Sequence, residues 1–138
     1  MFDFNFDWSK EMETCISDID SQHKEFFRIG RNIEQLLIAK CINVSEKELL
    51  DIICELREYV AYHFYEEECI MRENNYSKIE EHIKKHNEFK EMVMNIDCPA
   101  LAANPYIELK KIRDEIMDWV FSHMLADDMD IARELKMK

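Results

Sequence analysis

His63-Phe-Tyr-Glu-Glu-Glu-Cys-Ile-Met-Arg-Glu-Asn-Asn-Tyr-Ser-Lys-Ile-Glu-Glu-His-Ile-Lys-Lys-His86 is the stretch whose reading decides the fold. His63 and Glu67 are four residues apart, and so are His82 and His86. On an α-helix that spacing stacks two side chains on one face, one turn apart. Asn74-Asn75-Tyr76 between the pairs reads as a turn. Two helices therefore each present two donor groups to one interior.

The apolar stripes run outward from both pairs. Leu49, Ile53, Leu56 and Val60 lead into His63, Glu67 and Ile70 without a change of face, and Glu66 and Glu68 lie about 100° to either side of Glu67. Ile79, His82, His86, Phe89, Val93 and Ile96 form the next seam. Upstream, Ile19, His23, Phe26, Gly30, Ile33 and Leu37 share a stripe that Ser17 or Asp18 can cap. Downstream, Asn104 and Pro105 open a helix carrying Leu109, Ile112, Ile116, Trp119 and His123. Ser45 with Glu48, and Ser77 with Glu80, have capping-box spacing.

The spacing predicts helices over about 18–39, 46–73, 77–96 and 105–127, with Asp97–Pro105 a loop and a short polar C-terminal tail that can continue as helix. Phe2, Phe4, Phe6 and Trp8 alternate with polar residues, so residues 1–17 read as an extended arm laid over the helices. Short connections favour antiparallel neighbours. The expected fold is all-α, an up-down-up-down four-helix bundle forming one domain over residues 1–138.

Composition agrees with a helical chain, since one glycine and two prolines leave little room for hairpins. A net charge of −12 opposes nucleic acid and anionic membrane surfaces. Five cysteines without a C-x-x-C spacing form neither a disulfide framework nor a zinc ribbon. No basic leader or long apolar run is visible, so a reducing cytoplasm is the expected compartment.

A lone inward histidine is usually a hydrogen-bonded core residue. Five imidazoles and one or two carboxylates in seams of Leu, Ile and Phe are different, because each needs a partner to offset desolvation. Metal coordination satisfies them together. Nitrogen and oxygen donors without thiolate suit iron, manganese or zinc, and seven groups exceed one tetrahedral site. Two ions fit the count. Helix geometry places Asp127, four after His123, on that histidine's face, whereas Asp128 is rotated by about 140°.

The order His23, His63-x3-Glu67, His82-x3-His86, His123-x4-Asp128 resembles the hemerythrin family, in its bacterial single-domain form. Trp8, Asp20-Ser-Gln-His23, Phe64 and Trp119 add to the likeness. The resemblance implies His82, His86 and His123 on one iron, His23 and His63 on the other, and Glu67 and Asp128 bridging both with an oxo or hydroxo group. The family pattern thus selects Asp128 over Asp127, which requires a local distortion of the helix. It also implies reversible dioxygen binding at the five-coordinate iron, for oxygen transport, storage or delivery, with nitric oxide as a second diatomic candidate.

The expected pocket wall is Phe26, Phe64, Trp119, Val120 and Met124, apolar and with no acid or base beyond the ligands. Such a wall favours release of dioxygen over its cleavage. Two alternatives differ in class: a sensor acting through a separate partner, and a di-iron peroxidase, nitric oxide reductase or oxidase. Ferritin-like oxidases use glutamates in Glu-x-x-His spacing, which favours a binding protein here over an enzyme.

Overall fold

In the computed structural model, which describes residue 8 and residues 10–136, the longest helix is α2, Glu46–Glu73. Its start is set by Ser45, whose hydroxyl accepts from the Glu48 amide while the Glu48 carboxylate accepts from the Ser45 amide. Each bond satisfies an amide that the first helical turn leaves without a partner. α1 (Ser17–Ile38) packs on α2 and on α5 (Pro105–Trp119), and α3 (Ile79–Met94) packs on α2. Among the described residues every regular element is helical. No helix among them is long and apolar enough to cross a membrane.

The core follows the stripes. Ile33, Leu56, Val60, Val93, Leu109 and Ile116 are buried together, with Phe26, Phe64 and Phe89 beneath the histidines. Each such side chain contributes about 1.5–3 kcal/mol by leaving water. On α2 the buried stripe ends at Met71; Ile70, assigned to it from spacing, is only half-buried. Arg57 ties the far end of α3 to α2. Its guanidinium donates to the carbonyls of Val93 (3.3 Å), Met94 (3.2 Å) and Ile96 (3.4 Å) at and just past the helix end.

Several local expectations are corrected. α1 takes no side-chain cap from Ser17 or Asp18. Instead the Asp20 carboxylate accepts from the Thr14 amide and hydroxyl and from the Cys15 amide, at 2.7–3.0 Å, pinning the entering chain. The Ser77 box does not form, because the Ser77 hydroxyl and amide bond the Glu134 carboxylate and α3 starts at Ile79. The Asp97–Pro105 loop contains a short helix, α4 (Cys98–Ala103), with Asp97 accepting from the Ala100 amide. The C-terminal tail does continue as helix, α6 (Asp127–Lys136), and is packed rather than merely polar, its Ile131 buried with Met71 and Tyr76.

Of the N-terminal arm, Phe2, Phe4 and Phe6 lie outside the described residues. Lys10–Met12 forms one 3-10 turn rather than extended chain. Trp8 is half-buried, with its ring 5.4 Å from Phe27 and 6.3 Å from His23.

The fourth stripe is where structure departs most from a regular helix. α5 stops at Trp119, and Val120–Met124 widen into a π-helical turn in which the Leu125 amide donates to the Val120 carbonyl, five residues back, at 3.0 Å. Leu125 and Ala126 then turn before α6. The α period is broken between His123 and Asp128, as an i, i+5 pair on one centre demands.

Replacing Arg57 by Met keeps the apolar stem and removes three carbonyl bonds. Because the group is partly solvated, the expected loss is about 1 kcal/mol of unfolding free energy, read from the urea midpoint. An unchanged midpoint would contradict the capping role.

Candidate metal centre

Five elements each send side chains to one point. His23 comes from α1, His63 and Glu67 from α2, His82 and His86 from α3, His123 from the π turn and Asp128 from the first turn of α6. None of the seven is more than 3% exposed. The imidazoles all turn Nε2 toward the two carboxylates. His82 lies 2.6 Å from Glu67 Oε1 and 3.0 Å from Asp128 Oδ1, and His86 3.0 Å from Glu67 Oε1. His23 lies 2.7 Å from Asp128 Oδ2, and His63 3.4 Å from Glu67 Oε2.

These atoms form two overlapping groups that could each hold an ion. One is Glu67, His82, His86, His123 and Asp128; the other is His23, His63, Glu67 and Asp128. The carboxylates are common to both. Glu67 Oε2, Asp128 Oδ1 and His123 Nε2 are sealed from solvent and make no hydrogen bond among the described residues. The last two are 3.1 Å apart without the alignment that would pair them. Groups left so cost about 1–3 kcal/mol each. Cations between the nitrogen and oxygen atoms would satisfy all three, so the donor set fits a pair of borderline divalent metals.

Outside this ring, His86 Nδ1 donates to Glu68 Oε2 at 3.0 Å and His123 Nδ1 to Asp127 Oδ2 at 3.1 Å. His63 Nδ1 pairs with the Gln22 amide oxygen. A proton held on Nδ1 leaves the Nε2 lone pair facing inward. Asp127, the carboxylate that helix spacing put beside His123, does meet that ring, but on its outer nitrogen and partly exposed. Asp128 is turned inside.

The aromatic residues expected to line a pocket clamp the imidazoles. Phe64 stacks on His86 at 4.0 Å and lies 5.6 Å from His63, and Trp119 stacks on His123 at 4.0 Å. Val120 and Met124 are buried in the π turn, and Phe26 packs 5.0 Å from Tyr59. Tyr59 is the residue that sequence reasoning missed. Its ring stacks on His63 at 5.3 Å, and its buried hydroxyl has no hydrogen-bond partner among the described residues. Burial, then the charges of Glu67 and Asp128, push the phenol well above its usual range, so it keeps its proton. The signal available was its position four before His63, on the seam that Leu56 and Val60 flank.

Burial is the largest influence on His23, His63, His82, His86, Glu67 and Asp128, and the pairing then decides the direction. It drives His63 down to about 4 despite Glu67. At His82 the bonds to Asp128 and Glu67 outweigh it and raise the imidazole to about 9, and His23 and His86 are raised for the same reason. Burial and mutual repulsion push Glu67 and Asp128 up, but the surrounding imidazoles hold both below the ordinary carboxylate range.

A family model described as the hemerythrin HHE cation binding domain matches residues 14–135. The bacteriohemerythrin of Clostridium acetobutylicum is 28% identical over 125 residues, spanning 91% of this chain and 97% of that protein. That of Campylobacter jejuni is 27% identical, spanning 83% and 84%. The myohemerythrin of Theromyzon tessulatum is 23% identical, spanning 94% and 93%.

The electrostatics predict how the metal-free protein responds to pH. Raised imidazoles contribute stability that is complete below about pH 6.5 and is lost as pH climbs toward 9, the His82 value. His63, held near 4, is neutral both folded and unfolded above 6.5 and does not oppose this. The urea midpoint of the metal-free protein should therefore fall between pH 6.5 and 9, while metal uptake, which displaces the same protons, strengthens. A midpoint that holds or rises across that window would contradict the assignment.

Proposed function

The chain belongs to the hemerythrin family, and from that premise we propose that it is a non-haem di-iron protein that binds dioxygen reversibly at one of its two irons. His82, His86 and His123 would hold one iron and His23 and His63 the other, with Glu67 and Asp128 common to both. The observation that carries this reading is the pair of overlapping donor groups, three histidines in one and two in the other, sharing both carboxylates. Iron bound there would supply electrons to dioxygen.

The chain's own residues do the rest. Gln22, Glu68 and Asp127 orient three imidazoles through their outer nitrogens. Phe26, Phe64, Trp119, Val120 and Met124 exclude water around the donors, which favours release of a small ligand over its cleavage. Tyr59 amends that expectation of a pocket without donors. Stacked on His63, beside the two-histidine group, its hydroxyl can give a hydrogen bond to a diatomic ligand, and its high affinity for its own proton keeps it from acting as an acid.

The scaffold supports the same reading. Short connections and the pairing of α1 with α2 and of α2 with α3 favour four long helices in up-down-up-down order, forming one domain. A binding protein, rather than an enzyme, accounts for a histidine-rich set in which the two carboxylates are both spent on bridging.

Reduced, iron-loaded protein exposed to air should develop near-ultraviolet and visible charge-transfer bands that disappear on deoxygenation and return with air. Rapid, irreversible conversion to the ferric state would instead favour an oxidase. His82→Ala should lower iron content and thermal stability together; a variant with two irons and the parental spectrum would remove His82 from the ligand set. Tyr59→Phe should leave the metal-free protein as stable or more so, because an unpaired buried hydroxyl is gone, yet release dioxygen faster in a stopped-flow displacement. An unchanged release rate would leave the hydroxyl without a role in binding.

A further inference from the structure

Three of the five imidazoles, His63, His86 and His123, have outer hydrogen-bond partners among the described residues, and these differ in charge between the two halves of the centre. In the three-histidine half, His86 and His123 each donate Nδ1–H to a carboxylate, Glu68 and Asp127. In the two-histidine half, His63 meets the neutral amide of Gln22. We infer that Glu68 and Asp127 are positioning residues that act through His86 and His123 to hold the three-histidine iron at the lower reduction potential, so that it is the first of the two to lose an electron. This rests on the di-iron reading above.

The physical argument runs through the rings. A carboxylate accepting Nδ1–H pulls the proton outward and returns electron density to Nε2, which makes a stronger donor to the ion with the higher charge. An amide oxygen accepts the same bond without a net negative charge. The carboxylates are partly exposed, but the rings between them and the centre are sealed from solvent, so part of their field reaches the ion and favours the ferric over the ferrous state. The bridging groups Glu67 and Asp128 belong to both halves and cannot supply the difference.

Each carboxylate has a cation on its outer side. Lys85 Nζ lies 2.8 Å from Asp127 Oδ2, and Arg72 lies 3.7 Å from Glu68 Oε1. Both cations are more than half exposed and hold no other part of the centre. They oppose the carboxylates' effect, and this gives the inference a sign test. Removing the carboxylate's charge and removing its cation both abolish the Lys85–Asp127 ion pair, yet they should move the potential in opposite directions.

The experiment is a mediated redox titration of the iron-loaded full chain, followed optically and by the electron paramagnetic signal of the half-oxidised state. The parent should show two one-electron couples. Asp127→Asn and Glu68→Gln should each raise the lower couple, changing the ferric-to-ferrous ratio at fixed potential about tenfold, or about 59 mV for one electron. Lys85→Met should lower that same couple. Gln22→Glu, which puts a carboxylate behind His63, should lower the upper couple and narrow the gap. Shifts of the same sign for Asp127→Asn and Lys85→Met would mark a merely structural contact and overturn the inference. So would a single two-electron wave that Asp127→Asn and Gln22→Glu displace by equal amounts. A parent holding fewer than two irons overturns the di-iron reading and this inference with it. A parent holding two irons whose couples ignore Asp127 overturns this inference alone.

Discussion

Two buried carboxylates facing five buried imidazoles form the constraint on which the rest of the structure depends. Glu67 and Asp128 are completely sealed from water, repel each other, and can remain ionised only because nitrogen donors and positive charge surround them. In the metal-free chain that charge comes from protons shared among His23, His82 and His86. Iron held by the same atoms would replace those protons and also satisfy the three atoms that no hydrogen bond reaches. Folding and metal binding are thus two solutions to one desolvation problem.

The irregular features of the fold serve this point. A continuous helix from Pro105 would have carried Asp127 beneath His123 and left Asp128 pointing away. The π turn at Val120–Met124 and the restart at Asp127 reverse the assignment: Asp128 enters the centre and Asp127 takes the outer nitrogen of His123. α6 is kept against the rest by Ile131, packed with Met71 and Tyr76, and by Glu134 on Ser77. A segment whose composition suggests a solvated tail therefore helps close one end of the site.

Much of this is legible in the chain because helix periodicity is a local property. His63 with Glu67, and His82 with His86, share a face by spacing alone, and the apolar residues of the same stripes show that the face is an inner one. What spacing could not reveal depends on partners distant in sequence. Ser77 has the pattern of a cap, but Glu134 competes for its hydroxyl from 57 residues away. Met71 is buried with Ile131 of α6, whereas Ile70, one residue earlier, is only half-buried. Tyr59 lay unnoticed because a tyrosine on a buried seam reads as core; only a structure tells whether its hydroxyl has a partner. The choice between Asp127 and Asp128 needed the family pattern, since a π turn carries no sequence signature as plain as a proline.

The central claim is that two metal ions sit between these seven side chains with Glu67 and Asp128 common to both. Anomalous scattering at the iron edge from crystals of the iron-loaded protein tests it most directly. Two peaks are expected, one beside His82, His86 and His123 and one beside His23 and His63, with both carboxylates between them. A single peak, or iron bound elsewhere while the five imidazoles keep their protons, would contradict the account.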